Sequence, residues 1–112
     1  MMNVERVPVA ELPSFLERFS RGHKGWLTRV EMEDETRRGE IDVDAQPLGG
    51  IVADRDRNRV LVFLEKSPRG SIRYGIDQPT EIWRETSDGR VRLELASAGG
   101  STMTLDCQPA GH

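Results

Sequence analysis

From Trp26 almost to the end of the chain, apolar and polar residues alternate one for one. Trp26, Thr28, Val30 and Met32 form one row and Leu27, Arg29, Glu31 and Glu33 the other. Ile41, Val43 and Ala45 alternate with Glu40, Asp42 and Asp44, and Ile72, Tyr74 and Ile76 with Ser71, Arg73 and Gly75. Val91, Leu93 and Leu95 alternate with Arg90, Arg92 and Glu94, and Met103, Leu105 and Cys107 with Thr102, Thr104 and Asp106. Successive side chains of a strand point to opposite faces, so one apolar row marks a strand in a sheet with one face covered and the other in water. The run VLVFL, Val60 to Leu64, is apolar on both rows and predicts a strand covered on both sides, with a helix over one of them.

Before Trp26 the period changes. Leu12, Phe15, Leu16 and Phe19 fall at i, i+3, i+4 and i+7, with Glu11, Glu17, Arg18 and Arg21 on the other side, which is the stripe of an amphipathic helix. Pro13 is tolerated only in the first turn, so the helix is expected from near residue 10 to near Arg21. Gly22 suits the left-handed residue that closes a helix, and His23 and Lys24 bring positive charge to the negative end of its dipole. Gly25 then turns the chain into the first strand.

Turn residues separate the strands at Arg38-Gly39, Gly49-Gly50, Pro68-Arg69-Gly70, Asp88-Gly89 and Gly99-Gly100. The last hairpin fixes its own register. A three-residue loop of Ala98, Gly99 and Gly100 sets Leu95 opposite Met103 and Leu93 opposite Leu105, whereas a two-residue loop sets apolar against polar. The fold class that follows is α+β, mostly β: one helix packed on a strongly bent antiparallel sheet or small barrel of about six strands. Residues 1–112 form a single domain, with a frayed tail from 109 to 112.

Composition narrows the functions. Net charge is −3, from 19 acidic and 16 basic residues spread along the chain, where a phosphate-backbone binder would carry a basic face. Cys107 is the only cysteine, so no internal disulfide forms, and its place in the Met103, Leu105, Cys107 row makes it a small buried apolar side chain. The start MMNVERVPVAELP lacks the apolar run of a secretion signal, and no stretch approaches the roughly 18 apolar residues of a membrane span, so the expected location is the cytoplasm.

Several patterns invite a chemical reading. Asp54, Asp56, Asn58 and Glu65 fall at the first, third, fifth and twelfth positions of a calcium loop, but Arg59 stands where that loop needs glycine and a β run follows. A plain turn, with Asp56 and Asn58 satisfying backbone groups, fits better. Glu31, Glu33, Asp34 and Glu35 with Glu40, Asp42 and Asp44 concentrate acid around one hairpin, which reads as an outer face defended against aggregation or as a dock for a basic partner through Asp42 and Asp44. His23, in FSRGHKGW, is of the residue type that most often serves as a general base, yet no nucleophile or orienting group is nominated beside it; a joint, with the ring capping the helix or packing near Trp26, is the simpler role. The glycines of PLGGI precede no helix and lack a phosphate-loop lysine. Trp83, in EIWRE, points outward beside Glu81 and Glu85 if Ile82 and Thr80 point in, and then makes an interface anchor; a strand covered on both faces is the other arrangement.

The blocks FSRGHKGW, QPLGGIVAD (Gln46 to Asp54), PTEIW and LELASAGGSTMTL together resemble a family of short bacterial proteins catalogued only as a domain of unknown function. The likeness covers nearly the whole chain, with Gly22 and Lys24 departing from the pattern at the helix exit. It implies an intracellular bacterial protein of one small domain, and it carries over no catalytic, metal or cofactor residue.

Three readings of function result. The first is a small non-catalytic module that binds a protein, a second copy of itself included, through an outer sheet face or edge strand. The second is a small-ligand binder or small enzyme with a pocket between helix and sheet near His23, Trp26 and Tyr74. The third is a nucleic-acid-binding barrel on which Arg69, Arg73, Arg90 and Arg92 gather, disfavoured by the acidic balance. No cofactor or metal is expected in any of them.

Overall fold

The structure, a computed structural model, describes residues 3–34, 40–41, 45–65 and 70–110, with 40 and 41 placed by backbone pairing only. The acidic pair Asp42 and Asp44, the Arg38-Gly39 turn, and Pro68 and Arg69 lie outside the described residues. The chain order is β1 (Asn3–Val7), a 3-10 turn (Val9–Glu11), α1 (Leu12–His23), β2 (Leu27–Glu33), β3 (Glu40–Ile41), β4 (Gln46–Asp54), β5 (Arg59–Glu65), β6 (Ser71–Asp77), β7 (Pro79–Ser87), β8 (Arg90–Ser97) and β9 (Thr102–Gln108). Eight strands run in the order β1-β7-β8-β9-β2-β4-β5-β6, every neighbour antiparallel, and β3 pairs with β2. The class is as predicted, but the strands outnumber the half-dozen expected, and the sheet is open, with β1 and β6 at its two ends.

The alternating rows do what their period demands. In β8 and β9, Val91, Leu93, Leu95, Met103, Leu105 and Cys107 are buried, with Leu93 opposite Leu105 and Leu95 opposite Met103. The loop between them has the three predicted residues, closed by Ser97 N–H to the Ser101 carbonyl (2.9 Å), with Gly100 at φ +90°, where a side chain would be strained. Leu12, Phe15, Leu16 and Phe19 on α1 enter the same core as Val30, Leu48, Val60, Val62, Leu64, Ile76 and Ile82. The two halves of the sheet fold toward one another: Ala98, after β8, donates to the Gln78 carbonyl after β6 (3.0 Å).

Three expectations need correction. The pair Gly49-Gly50 is not a turn: β4 runs through it with a bulge between Leu48 and Gly50, so Leu48 pairs with Leu64 and Gly50 with Phe63. A Cβ on Gly49 would meet the Phe63 carbonyl oxygen at 3.2 Å, so the glycine permits close backbone approach within the sheet. The helix starts and ends later than predicted, and Gly22 lies inside it; the left-handed residue is Gly25, at φ +85°. The extension follows from what the exit must reach: Gly25 N–H donates to the Leu48 carbonyl and Leu48 N–H to the Trp26 carbonyl, each at 2.8 Å, which starts the β2–β4 pairing. Finally, Leu61 and Phe63 of the VLVFL run are only half-buried, because α1 lies against β4 and leaves the second row of β5 partly open.

The bend has a local cause. β4 pairs with β2 only at Gln46 and Pro47, and from Leu48 onward its β2-side edge is free for α1. Ser20 takes the place of a neighbouring strand: its hydroxyl donates to the Ile51 carbonyl (2.9 Å) and accepts the Ile51 N–H (2.7 Å). Replacing Ser20 by alanine leaves both Ile51 groups to whatever water reaches them, and the expected loss is about 1–2 kcal/mol, measured by urea unfolding. A loss indistinguishable from zero would show that the helix is held by its apolar face alone. Among the described residues no helix is long and apolar enough to cross a membrane.

Candidate functional site

Trp83 lies in the middle of β7 and points away from the core. Its orientation is set by Ile82, fully buried on the opposite row, and by a register shift between Pro79 and Glu81. That shift buries Pro79 and exposes Thr80, which the simple alternation had pointed inward. Of the two arrangements open for Trp83, the outward one is present: the side chain is 38% exposed.

Its neighbours come from both flanking strands. In antiparallel pairs, directly opposite residues share a face. Arg6 of β1 and Glu94 of β8 therefore flank Trp83, while Val4 and Arg92 flank Glu85. The Arg6 guanidinium sits 5.8 Å from the indole centroid and 3.6 Å from the Glu81 carboxylate. Val4, 53% exposed, lies with Trp83, Glu85, Arg92 and Glu94 around a shallow hollow of about 280 Å³. The result is an exposed aromatic and an exposed aliphatic set among charges of both signs. Sequence reasoning had Trp83 with Glu81 and Glu85 but not Val4 or Arg6. Arg84, next along β7, faces the core-side row, where its Nε is buried without a hydrogen-bond partner.

His23 is a joint. Its Nδ1 lies 2.8 Å from the Phe19 carbonyl, and since a carbonyl only accepts, Nδ1 carries the proton and donates. The ring stacks on Phe19 with centroids 4.0 Å apart and meets Trp26 edge-on at 4.5 Å. The imidazole thus holds the helix end against the start of β2. Tyr74 stands on the core-side row of β6, opposite Val62 and packed against the core.

A groove between helix and sheet does exist, but on other residues. Pro13, Glu17, Ser20 and Arg21 of α1 and Gly50 to Ala53 of β4 line an apolar trough of about 440 Å³. Val52 on its floor is 50% exposed, and the Arg21–Glu17 ion pair (2.8 Å) closes one rim. Its polar groups are already engaged, Ser20 with Ile51 and Arg21 with Glu17.

The calcium-like spacing resolves into a hairpin. Asp54 ends β4 and Glu65 ends β5 at the far end of that strand, so the two cannot share an ion. Asp54, rather than Asp56 or Asn58, satisfies the turn, its Oδ1 accepting the N–H groups of Asp56 (3.1 Å) and Arg57 (3.3 Å), while Asn58 takes φ +49°. Among the described residues no three His, Cys, Asp or Glu side chains converge as a metal site requires. The arginines do not gather either: Arg90 and Arg92 share the Asp106 carboxylate at 3.6 and 3.9 Å, and Arg73 lies on β6 at the end of the sheet. No protein-family model, curated protein or solved structure matches the chain.

Proposed function

We propose that this protein is a small, non-catalytic, intracellular protein-interaction module that docks its partner on the outward face of β1, β7 and β8. The observation that carries the reading is the exposure of Trp83 and Val4 around one hollow, on a face otherwise made of charges of both signs. An exposed indole contributes much of the affinity where it occurs at interfaces, and the mixed charges around it would orient a partner. The likeness of its FSRGHKGW and QPLGGIVAD blocks to a bacterial family without known activity is in keeping with this, as is a cytoplasmic location. Nucleic acid fits less well, since Arg90 and Arg92 already face Asp106. A small apolar ligand in the α1–β4 groove is the second reading, favoured by the volume of that trough.

The test is affinity capture from a bacterial lysate with the full chain and with Trp83→Ala, after circular dichroism shows that both are folded. Capture of the specific partner is expected to weaken at least tenfold in the variant. Equal capture by the two chains would reject the Trp83 face.

A further inference from the structure

Among the described residues the strand order ends at β1 and at β6, and these two edges differ in a way that matters for assembly. An unpaired strand edge invites pairing with another chain, and proteins block it with charge on the covered row, proline, bulges or short length. β1 is blocked: it has five residues, and its core-side row carries Glu5, opposite Arg84, with Asn3 beside it. β6 is not. Its seven residues pair with β5 without a bulge, from Asp77 opposite Arg59 to Ser71 opposite Glu65. Its core-side row is Ile72, Tyr74 and Ile76, of which the first two are only half-buried, and it contains neither proline nor lysine.

We propose that β6 is the seam at which two copies of this chain join, antiparallel, about a twofold axis at Gly75, so that two open sheets become one. The strand is self-complementary in that register. On the outward row Arg73 falls opposite Asp77 of the second copy, twice, and on the core-side row Tyr74 falls opposite Ile76, also twice. Two glycines meet at the axis. Arg73 forms no ion pair with a described residue of its own chain, and Asp77 is held by Arg59 through one carboxylate oxygen, Oδ1, at 2.6 Å. Moving the axis to Tyr74 or Ile76 sets a glycine opposite a charge instead. The seam lies at the opposite end of the strand order from Trp83 and is independent of that face; it gives the self-association a place.

The full chain should elute and scatter light at twice its 12.6 kDa mass. Arg73→Glu alone and Asp77→Lys alone each set like charges opposite one another twice, and each should weaken the dimer about tenfold or more. Mixing the two variants should restore it, because position 73 of each then faces an opposite charge at position 77 of the other. Both substitutions are at exposed side chains, and far-ultraviolet dichroism checks that the fold survives. A monomer at the highest soluble concentration, a dimer that both variants leave intact, a mixture that stays monomeric, or a larger head-to-tail assembly of β6 on β1 would each overturn the proposal.

Discussion

Leu16→Ala is expected to destabilise the protein by about 3 kcal/mol and to lower its melting temperature by more than 10 °C, roughly. Leu16 is fully buried in the middle of the helical stripe, with Leu12, Phe15 and Phe19 around it in sequence and Leu48 and Ile51 of β4 in the same core. Removing the three carbons beyond Cβ there loses their transfer free energy and leaves a cavity, because β4 is held on its other side by β5 and is not free to collapse inward. Val52→Ala supplies the contrast. Val52 is half-exposed on the groove side of the same strand, and its truncation should change stability by no more than about 0.5 kcal/mol. Urea unfolding of the two variants beside the wild type measures both. A loss below about 1 kcal/mol for Leu16→Ala would mean that the helix is not a structural member of the core.

That helix was legible because its stripe obeys one period from end to end, and the same holds for β8 and β9, where a single row of six side chains is buried on both partners. β4 was not, and the reason is the bulge. An inserted residue advances the facing by one, so Leu48 and Ile51 both reach the core three positions apart, a spacing that fits neither a strand nor a turn. β1 was missed for a different reason. It pairs residues 3–7 with 82–86, across most of the chain, and its outward row carries the exposed apolar Val4, so neither local turn chemistry nor alternation announces it.

The candidate site inherits both effects. Trp83 could be assigned a side from Ile82, but Val4 and Arg6, which complete its surroundings, arrive through a pairing that no local signal encodes. Likewise, a pocket between helix and sheet could be expected from the layer architecture, yet its position depends on where β4 parts from β2. Ser20, the residue that covers the freed edge, looks in the sequence like any polar residue on the outer side of a helix. Edge complementarity is the converse case: the row of Arg73, Gly75 and Asp77 is plain in the sequence, and only the strand order shows that it ends the sheet.

Above pH 9 the stability of the protein should fall through a single buried thiol. Cys107 is fully buried on β9, and burial pushes its pKa from 9.0 up to about 11; the Thr28 hydroxyl, 3.5 Å from Sγ, offsets part of that shift and the charge of Asp106 adds to it. Below pH 9 the thiol is neutral in both folded and unfolded chains and contributes no pH dependence. Between 9 and 11 the unfolded chain has lost the proton and the folded chain keeps it, so the folded state binds more protons and each step upward in pH favours unfolding. The difference amounts to about 3 kcal/mol once the pH passes the folded value. The informative quantity is wild type minus Cys107→Ala, which removes every other alkaline contribution, by urea unfolding at pH 8, 9, 10 and 11, roughly one unit apart. The two stabilities should run parallel up to pH 9 and then converge, the wild type losing its advantage as its thiol is forced to ionise in the core. Curves that stay parallel to pH 11 would mean that water reaches Sγ, and with it that the inward row of β9 is not sealed beneath Thr28 and Trp26.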